Sequence, residues 1–152
     1  MTDTLHHIND WHQRARPNPD ARAFSAQLGA HIEEFVEMLR SMDLLHVEID
    51  DRVVYELEIL AADLKLGKTT LDPHHPRADS LFSREELLDS LADQVVTAAG
   101  VAHCAGMDLP GALEEVNRSN WSKFENGAPV FMPGGKIAKG EFYTPPDLSD
   151  FV

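Results

Sequence analysis

The chain has 152 residues, 43% of them hydrophobic and 26% charged, enough for one well-formed core and far from the composition of a disordered segment. Its 26 acidic against 13 basic side chains give a formal charge of −13, which argues against binding duplex nucleic acid through a broad positive face. The single cysteine, Cys104, excludes an intramolecular disulfide, and no Cys/His spacing around it suits structural zinc.

The first predicted helix spans 4–16 and ends before Pro17 and Pro19, whose rings oppose continuation. A second, from residue 20 or 21 to about 42, places Phe24, Leu28, Ile32, Phe35 and Leu39 at three- and four-residue steps. A third, over 50–66, repeats the pattern with Val53, Val54, Leu57, Leu60, Ala61 and Leu64, and Gly67 is placed to stop it. The stretch 68–81, with Pro73, Pro76, His74 and His75, has no period and reads as a surface connection.

Ser83 opens a capping box with Glu86 three residues on, starting a fourth helix that runs to about Gly106. Its expected buried seam is Leu87, Leu91, Val95, Ala98 and Ala102, with Cys104 also in the core. A fifth helix starts after Asp108, accepts Pro110 in its first turn and carries Leu113, Val116 and Trp121. Beyond Phe124, Asn-Gly, Pro-Gly-Gly and Pro-Pro turns mark a tail too poor in apolar residues to have its own core, with room for one small hairpin. The expected fold is all-α: a four- to five-helix bundle in a single domain over 1–152, with a core at 21–124 and an irregular tail at 125–152. No run approaches membrane-spanning length and the N-terminus lacks the features of a signal peptide, so the expectation is a cytoplasmic protein without membrane contact.

Two acidic faces carry the candidate chemistry. Glu33, Glu34 and Glu37 lie within one turn of each other on the second helix, and Glu86, Asp89 and Asp93 recur at steps of three, four and seven on the fourth. Asp89 and Asp93 are set in an otherwise core-forming stretch, where burial without a cation is costly. If the two helices pack antiparallel, four or five carboxylates converge, an oxygen-only donor set for a hard ion such as Mg²⁺, with Mn²⁺ as a substitute. The charge then reverses: between residues 117 and 140 the bases Arg118, Lys123, Lys136 and Lys139 face one acid, Glu125. Asn120 and Lys123 stand three apart, and Gly134, Gly135 and Lys136 could bring backbone N–H groups and an ammonium to one phosphate. A metal cage beside a cationic clamp points to a metal-chelated polyphosphate. The histidines of the first helix (His6, His7, His12) and of the loop read as surface residues, and the absence of a Glu-x-x-His element disfavours a di-iron bundle.

In order, Glu-Glu-x-x-Glu at 33, 34 and 37, Asp89 and Asp93, and Gly106-Met-Asp108 resemble the MazG-like all-α nucleoside triphosphate pyrophosphohydrolases. The segments from Glu115 to Phe124, from Gly135 to Gly140 and from Tyr143 to Leu148 are similar to the tail of phage-type members, close to the phosphoribosyl-ATP pyrophosphohydrolase-like group. The resemblance covers about residues 21–44 and 83–148 and leaves the third helix unmatched. It implies hydrolysis of a (deoxy)nucleoside triphosphate to the monophosphate and pyrophosphate. In that scheme Glu34, Glu37, Asp93 and Asp89 are metal ligands, with Glu86 or Asp89 supplying an oxygen where Ser90 replaces the usual Glu. Glu33 orients or deprotonates water, with Glu34 beside it in the catalytic pair. Asn117, Asn120, Lys123, Lys136, Lys139 and Tyr143 are the implied substrate contacts, and bundles are completed across subunits in a homodimer or homotetramer. The alternative reading is a non-catalytic acidic helical oligomer that binds a nucleotide or a partner.

Overall fold

The computed structural model describes residues 4–41, 51–76, 80–132 and 136–152, which are mostly helical. The helices are α1 (Thr4–Ala15), α2 (Ala21–Ser41), α3 (Asp51–Leu66), α4 (Arg84–Ala105) and α5 (Leu109–Trp121). An antiparallel hairpin follows, β1 (Phe124–Glu125) and β2 (Ala128–Pro129), and a 3₁₀ turn lies at Ser149–Phe151. Among the described residues no helix is long and apolar enough to cross a membrane. The chain divides into two compact units, Met1–Asn18 with Phe82–Val152, and Pro19–Leu81.

The Pro19–Leu81 unit is the α2–α3 pair. Asp20 caps α2, its Oδ1 accepting from the Ala23 N–H at 2.7 Å. At the far end of α3, Gly67 takes φ 74°, and the Lys68 N–H returns to the Asp63 carbonyl at 2.9 Å. Arg22 of α2 donates to the Leu64 and Lys65 carbonyls, a guanidinium on the negative end of α3. The faces in contact match the expected stripes only in part. On α2 the buried residues are Ala23, Ser25, Gly29 and Val36, while Phe35 is 50% exposed; on α3 they are Val54, Ala61 and Leu64, while Val53 and Leu60 are exposed. At one point the approach is close: a Cβ at Gly29 would lie 2.6 Å from the Ala61 carbonyl oxygen, so a residue without a side chain sits there, while Val36, Val54 and Leu64 supply the buried apolar surface. Ser25 is fully buried; its hydroxyl donates to the Ala21 carbonyl at 2.8 Å and accepts from the Leu71 N–H at 2.7 Å, pinning the chain that leaves α3. In that connection Asp72 Oδ1 accepts from the His74 and His75 N–H groups, and both histidines are exposed.

In the other unit α1 packs on α5. The Trp11 indole donates to the Asn120 carbonyl at 2.9 Å and stacks at 5.8 Å on Phe124, which meets Trp121 edge-on. Ser83 caps α4 by accepting from the Glu86 N–H, and Gly106 closes it in the left-handed conformation. Asp108 caps α5 in the same way, with Pro110 in the first turn. Asn126 and Gly127, both at positive φ, make the two-residue turn of the hairpin. The tail is held by polar contacts with α5. Ser119 Oγ donates to the Thr144 carbonyl at 2.8 Å, Ser122 Oγ accepts from the Thr144 N–H at 2.9 Å, and Glu115 accepts from the Asp147 N–H at 2.9 Å.

α4 corrects two expectations. It contains no buried residue: Leu91, Val95 and Ala98 of the expected seam are exposed, only Leu87 and Ala102 are partly covered, and Cys104 is exposed rather than in the core. Its apolar stripe has the expected spacing, but within its own unit the helix meets α5 only sparsely, which leaves most of that face uncovered.

Candidate functional site

The expected site residues fall into two sets, one in each unit. On α2 the i, i+3 and i+4 steps place Glu33, Glu34 and Glu37 within one turn. Glu33 is half-buried, and both its carboxylate oxygens accept from the Lys65 ammonium of α3 at 2.6 Å. Glu34 and Glu37 are exposed, and neither has a hydrogen-bond or ion-pair partner among the described residues. A groove of about 210 Å³ runs along the α2–α3 junction, floored by Val36 and Ala61 and edged by Glu33, Glu37, Glu58 and Lys65. At its far end Arg40 pairs with Glu58. His31 lies one turn before Glu34 and is exposed.

On α4, Glu86, Asp89 and Asp93 are exposed, with Glu86 in the first turn and its N–H on the Ser83 cap. Because α4 buries nothing, Asp89 and Asp93 bear no desolvation cost here, contrary to the expectation from their apolar sequence neighbours. Among the described residues no three His, Cys, Asp or Glu side chains are gathered closely enough to hold an ion by themselves. The donors present are carboxylate oxygens at helical spacing, chemistry suited to a hard cation that keeps water or phosphate among its ligands.

The cationic set belongs to the same unit as α4. Lys123, in the turn after α5, donates to Asn120 Oδ1 at 2.7 Å. Lys139 stands 4.9 Å from the centre of the Tyr143 ring and Lys123 6.0 Å from it, so two ammonium groups lie near one aromatic ring. Lys136 is exposed; Gly134 and Gly135, its expected partners in a phosphate loop, lie outside the described residues. Asn117, one turn before Asn120, is buried, and its Oδ1 has no hydrogen-bond partner among the described residues. Arg118, counted with the bases in sequence, is committed elsewhere: it pairs in two-pronged fashion with Glu115 at 2.7 Å and donates to the Pro145 carbonyl at 3.1 Å. That guanidinium, helped by the Asp147 N–H, depresses the Glu115 carboxyl from 4.5 to about 2.

Sequence reasoning overlooked Lys65, Glu58 and Arg40. The signal was present on α3, where positions 58, 61, 62 and 65 recur at three- and four-residue steps and so share a face with the buried Ala61. No family model, curated protein or solved structure matches the chain.

Proposed function

We propose that this protein is a Mg²⁺-dependent nucleotide pyrophosphohydrolase of the MazG-like type, cleaving a (deoxy)nucleoside triphosphate to the monophosphate and pyrophosphate. The observation that carries the reading is a set of unengaged carboxylates at three- and four-residue helical steps: Glu34 and Glu37 on α2, Asp89 and Asp93 on α4, none with a partner among the described residues. Helix faces of like charge are unfavourable unless a cation relieves them. Glu34 and Glu37 are the donors that α2 would offer the ion, and Asp89 and Asp93 those that α4 would offer, with Glu86 the further oxygen donor on α4 in place of the carboxylate that Ser90 lacks. A Mg²⁺ ion held there would supply charge neutralisation at the phosphates and polarise a water.

The chain's own residues do the rest. Glu33 would orient a water for attack on the α-phosphorus and take its proton as the new P–O bond forms, while the bond from the α-phosphorus to the α–β bridging oxygen breaks and pyrophosphate leaves. Lys123, Lys139 and Lys136 balance the charge that builds on the departing group, and Asn120, already fixed against Lys123, presents its amide to a phosphate oxygen. Tyr143, with two ammonium groups near its ring, would help hold their charge at one place. The buried Oδ1 of Asn117 offers an acceptor for a hydroxyl or amino group of the nucleotide.

The reading includes a homo-oligomer, dimer or tetramer, and its support is α4. An apolar stripe from Leu87 to Ala102 on a 22-residue helix with nothing buried is the surface we assign to contact between subunits. The test of the activity is colorimetric detection of pyrophosphate from a panel of nucleoside and deoxynucleoside triphosphates with Mg²⁺. Wild-type protein should turn over at least one of them, and Glu34→Gln and Asp93→Asn should each abolish turnover. If no nucleotide yields product while nucleotide still shifts the melting temperature, the chain is instead the non-catalytic nucleotide-binding module.

A further inference from the structure

α3 lies in the part of the sequence without a recognised counterpart, yet it lines the groove beside the α2 acids. The packing explains how. At Gly29 the two helices come so close that a Cβ there would stand 2.6 Å from the Ala61 carbonyl oxygen and 2.9 Å from Lys65 Cγ. The missing side chain lets the Lys65 stem cross α2 at this point, and the ammonium arrives one turn further on, at Glu33. It is equidistant from the two carboxylate oxygens, at 2.6 Å each, so it fixes the plane of the carboxylate as well as its position. Glu33 is thus held by α3, while Glu34 and Glu37 on the same turn keep their oxygens unengaged by other described residues. A side chain that must aim a water molecule needs such a second anchor, since a free glutamate samples several rotamers and its acidic neighbours push it away.

We propose that Lys65 is a positioning residue for Glu33, and that α3 is therefore part of the active site. The inference rests on the pyrophosphohydrolase reading. An ordinary interhelical ion pair makes a different forecast. With side chains 29% and 43% exposed, Lys65 and Glu33 contribute little to stability in any case, so the role shows in turnover and not in melting.

The experiment compares wild type, Lys65→Met, Lys65→Arg, Glu33→Gln and the Lys65→Met/Glu33→Gln double variant, with Mg²⁺ and a triphosphate that the wild type hydrolyses. Lys65→Met should lower kcat about tenfold or more with KM held within about twofold, because orientation of the water is lost and substrate binding is not. Lys65→Arg should restore most of kcat, and the double variant should be no slower than Glu33→Gln alone. Melting temperatures of the Lys65 variants should stay close to wild type. An active wild type whose Lys65→Met form keeps its kcat, or loses it only together with its melting temperature, overturns the positioning role and leaves the enzyme reading standing. A wild type inactive on every triphosphate overturns that reading, and the role of Lys65 with it.

Discussion

Replacing Gly29 by alanine tests the close approach on which the α2–α3 pair and its groove depend. On propensity alone the change is favourable, since alanine in a helix interior gains about 1 kcal/mol over glycine. Packing opposes it. The new Cβ would meet the Ala61 carbonyl oxygen at 2.6 Å, Lys65 Cγ at 2.9 Å and Leu64 Cβ at 3.1 Å, and the first of these is backbone that cannot swing aside. Restoring ordinary contact requires α3 to retreat by about 0.8 Å, a gap that forfeits a quarter to a half of each dispersion contact along the interface. Overpacking of this kind costs about 2–3 kcal/mol, so the net expectation is a loss of about 1–2 kcal/mol and a fall in melting temperature of about 2–8 °C. Gly100, in the middle of α4, is the control: a Cβ there meets nothing within 4 Å, and Gly100→Ala should raise stability by about 0.5–1 kcal/mol. Thermal unfolding followed by circular dichroism reads both. If Gly29→Ala melts at or above the wild-type temperature, the helices are not in backbone contact at this point and the account of the groove fails with it.

The clamp between α5 and the tail has a pH signature. The Glu115 carboxyl is depressed from 4.5 to about 2, so the stability it confers is complete above 4.5 and is lost as the pH falls toward 2. Melting curves across that window should show Glu115→Gln less stable than wild type at neutral pH, with the difference shrinking on acidification; a constant difference would contradict the linkage. The face of α4 makes a separate forecast about assembly. Val95 is 50% exposed, so Val95→Lys should cost little within one chain and disrupt association between chains, giving a sedimentation mass near 16.9 kDa where wild type sediments as a multiple of it. An unaltered oligomer in the variant removes Val95 from the interface.

Helix boundaries were legible because they are written in local chemistry. Asp20, Ser83 and Asp108 have side chains that reach an N–H three residues on, and Gly67 and Gly106 accept a backbone conformation that other residues resist, so each end is decided within one turn. The packed face of α2 was legible only in part. Periodicity selects Phe24, Leu28, Ile32, Phe35 and Leu39, four of which are half-buried, whereas the close approach of the two helices places Ser25 and Gly29, with Val36, at the centre of the contact. Nor could spacing show that the tail is fastened by Glu115, Arg118, Ser119 and Ser122, since those hydrogen bonds join residues 22 to 32 positions apart. The acidic rows of the candidate site were visible as rows for the same reason that the caps were. Which member of a row is engaged is settled by another helix, and so Glu33, unlike Glu34 and Glu37, could be told apart only once α3 was in place.

That distinction bears on how the α2 acids divide their work. Three carboxylates on one turn repel one another by about 0.2–0.5 kcal/mol per pair, and under the proposed function an ion shared by all three would leave none to handle water. Lys65 takes Glu33 out of the row: its ammonium meets both carboxylate oxygens at 2.6 Å, and the two remaining acids are those that the proposed function leaves for a cation. The arrangement exists because Gly29 lets α3 lie against α2, so the residue that sets the packing distance also sets which carboxylate is held. Stability and carboxylate geometry are in this sense one variable. A substitution that spreads the helices, with no acid altered, should release Glu33 and return the row to three competing charges.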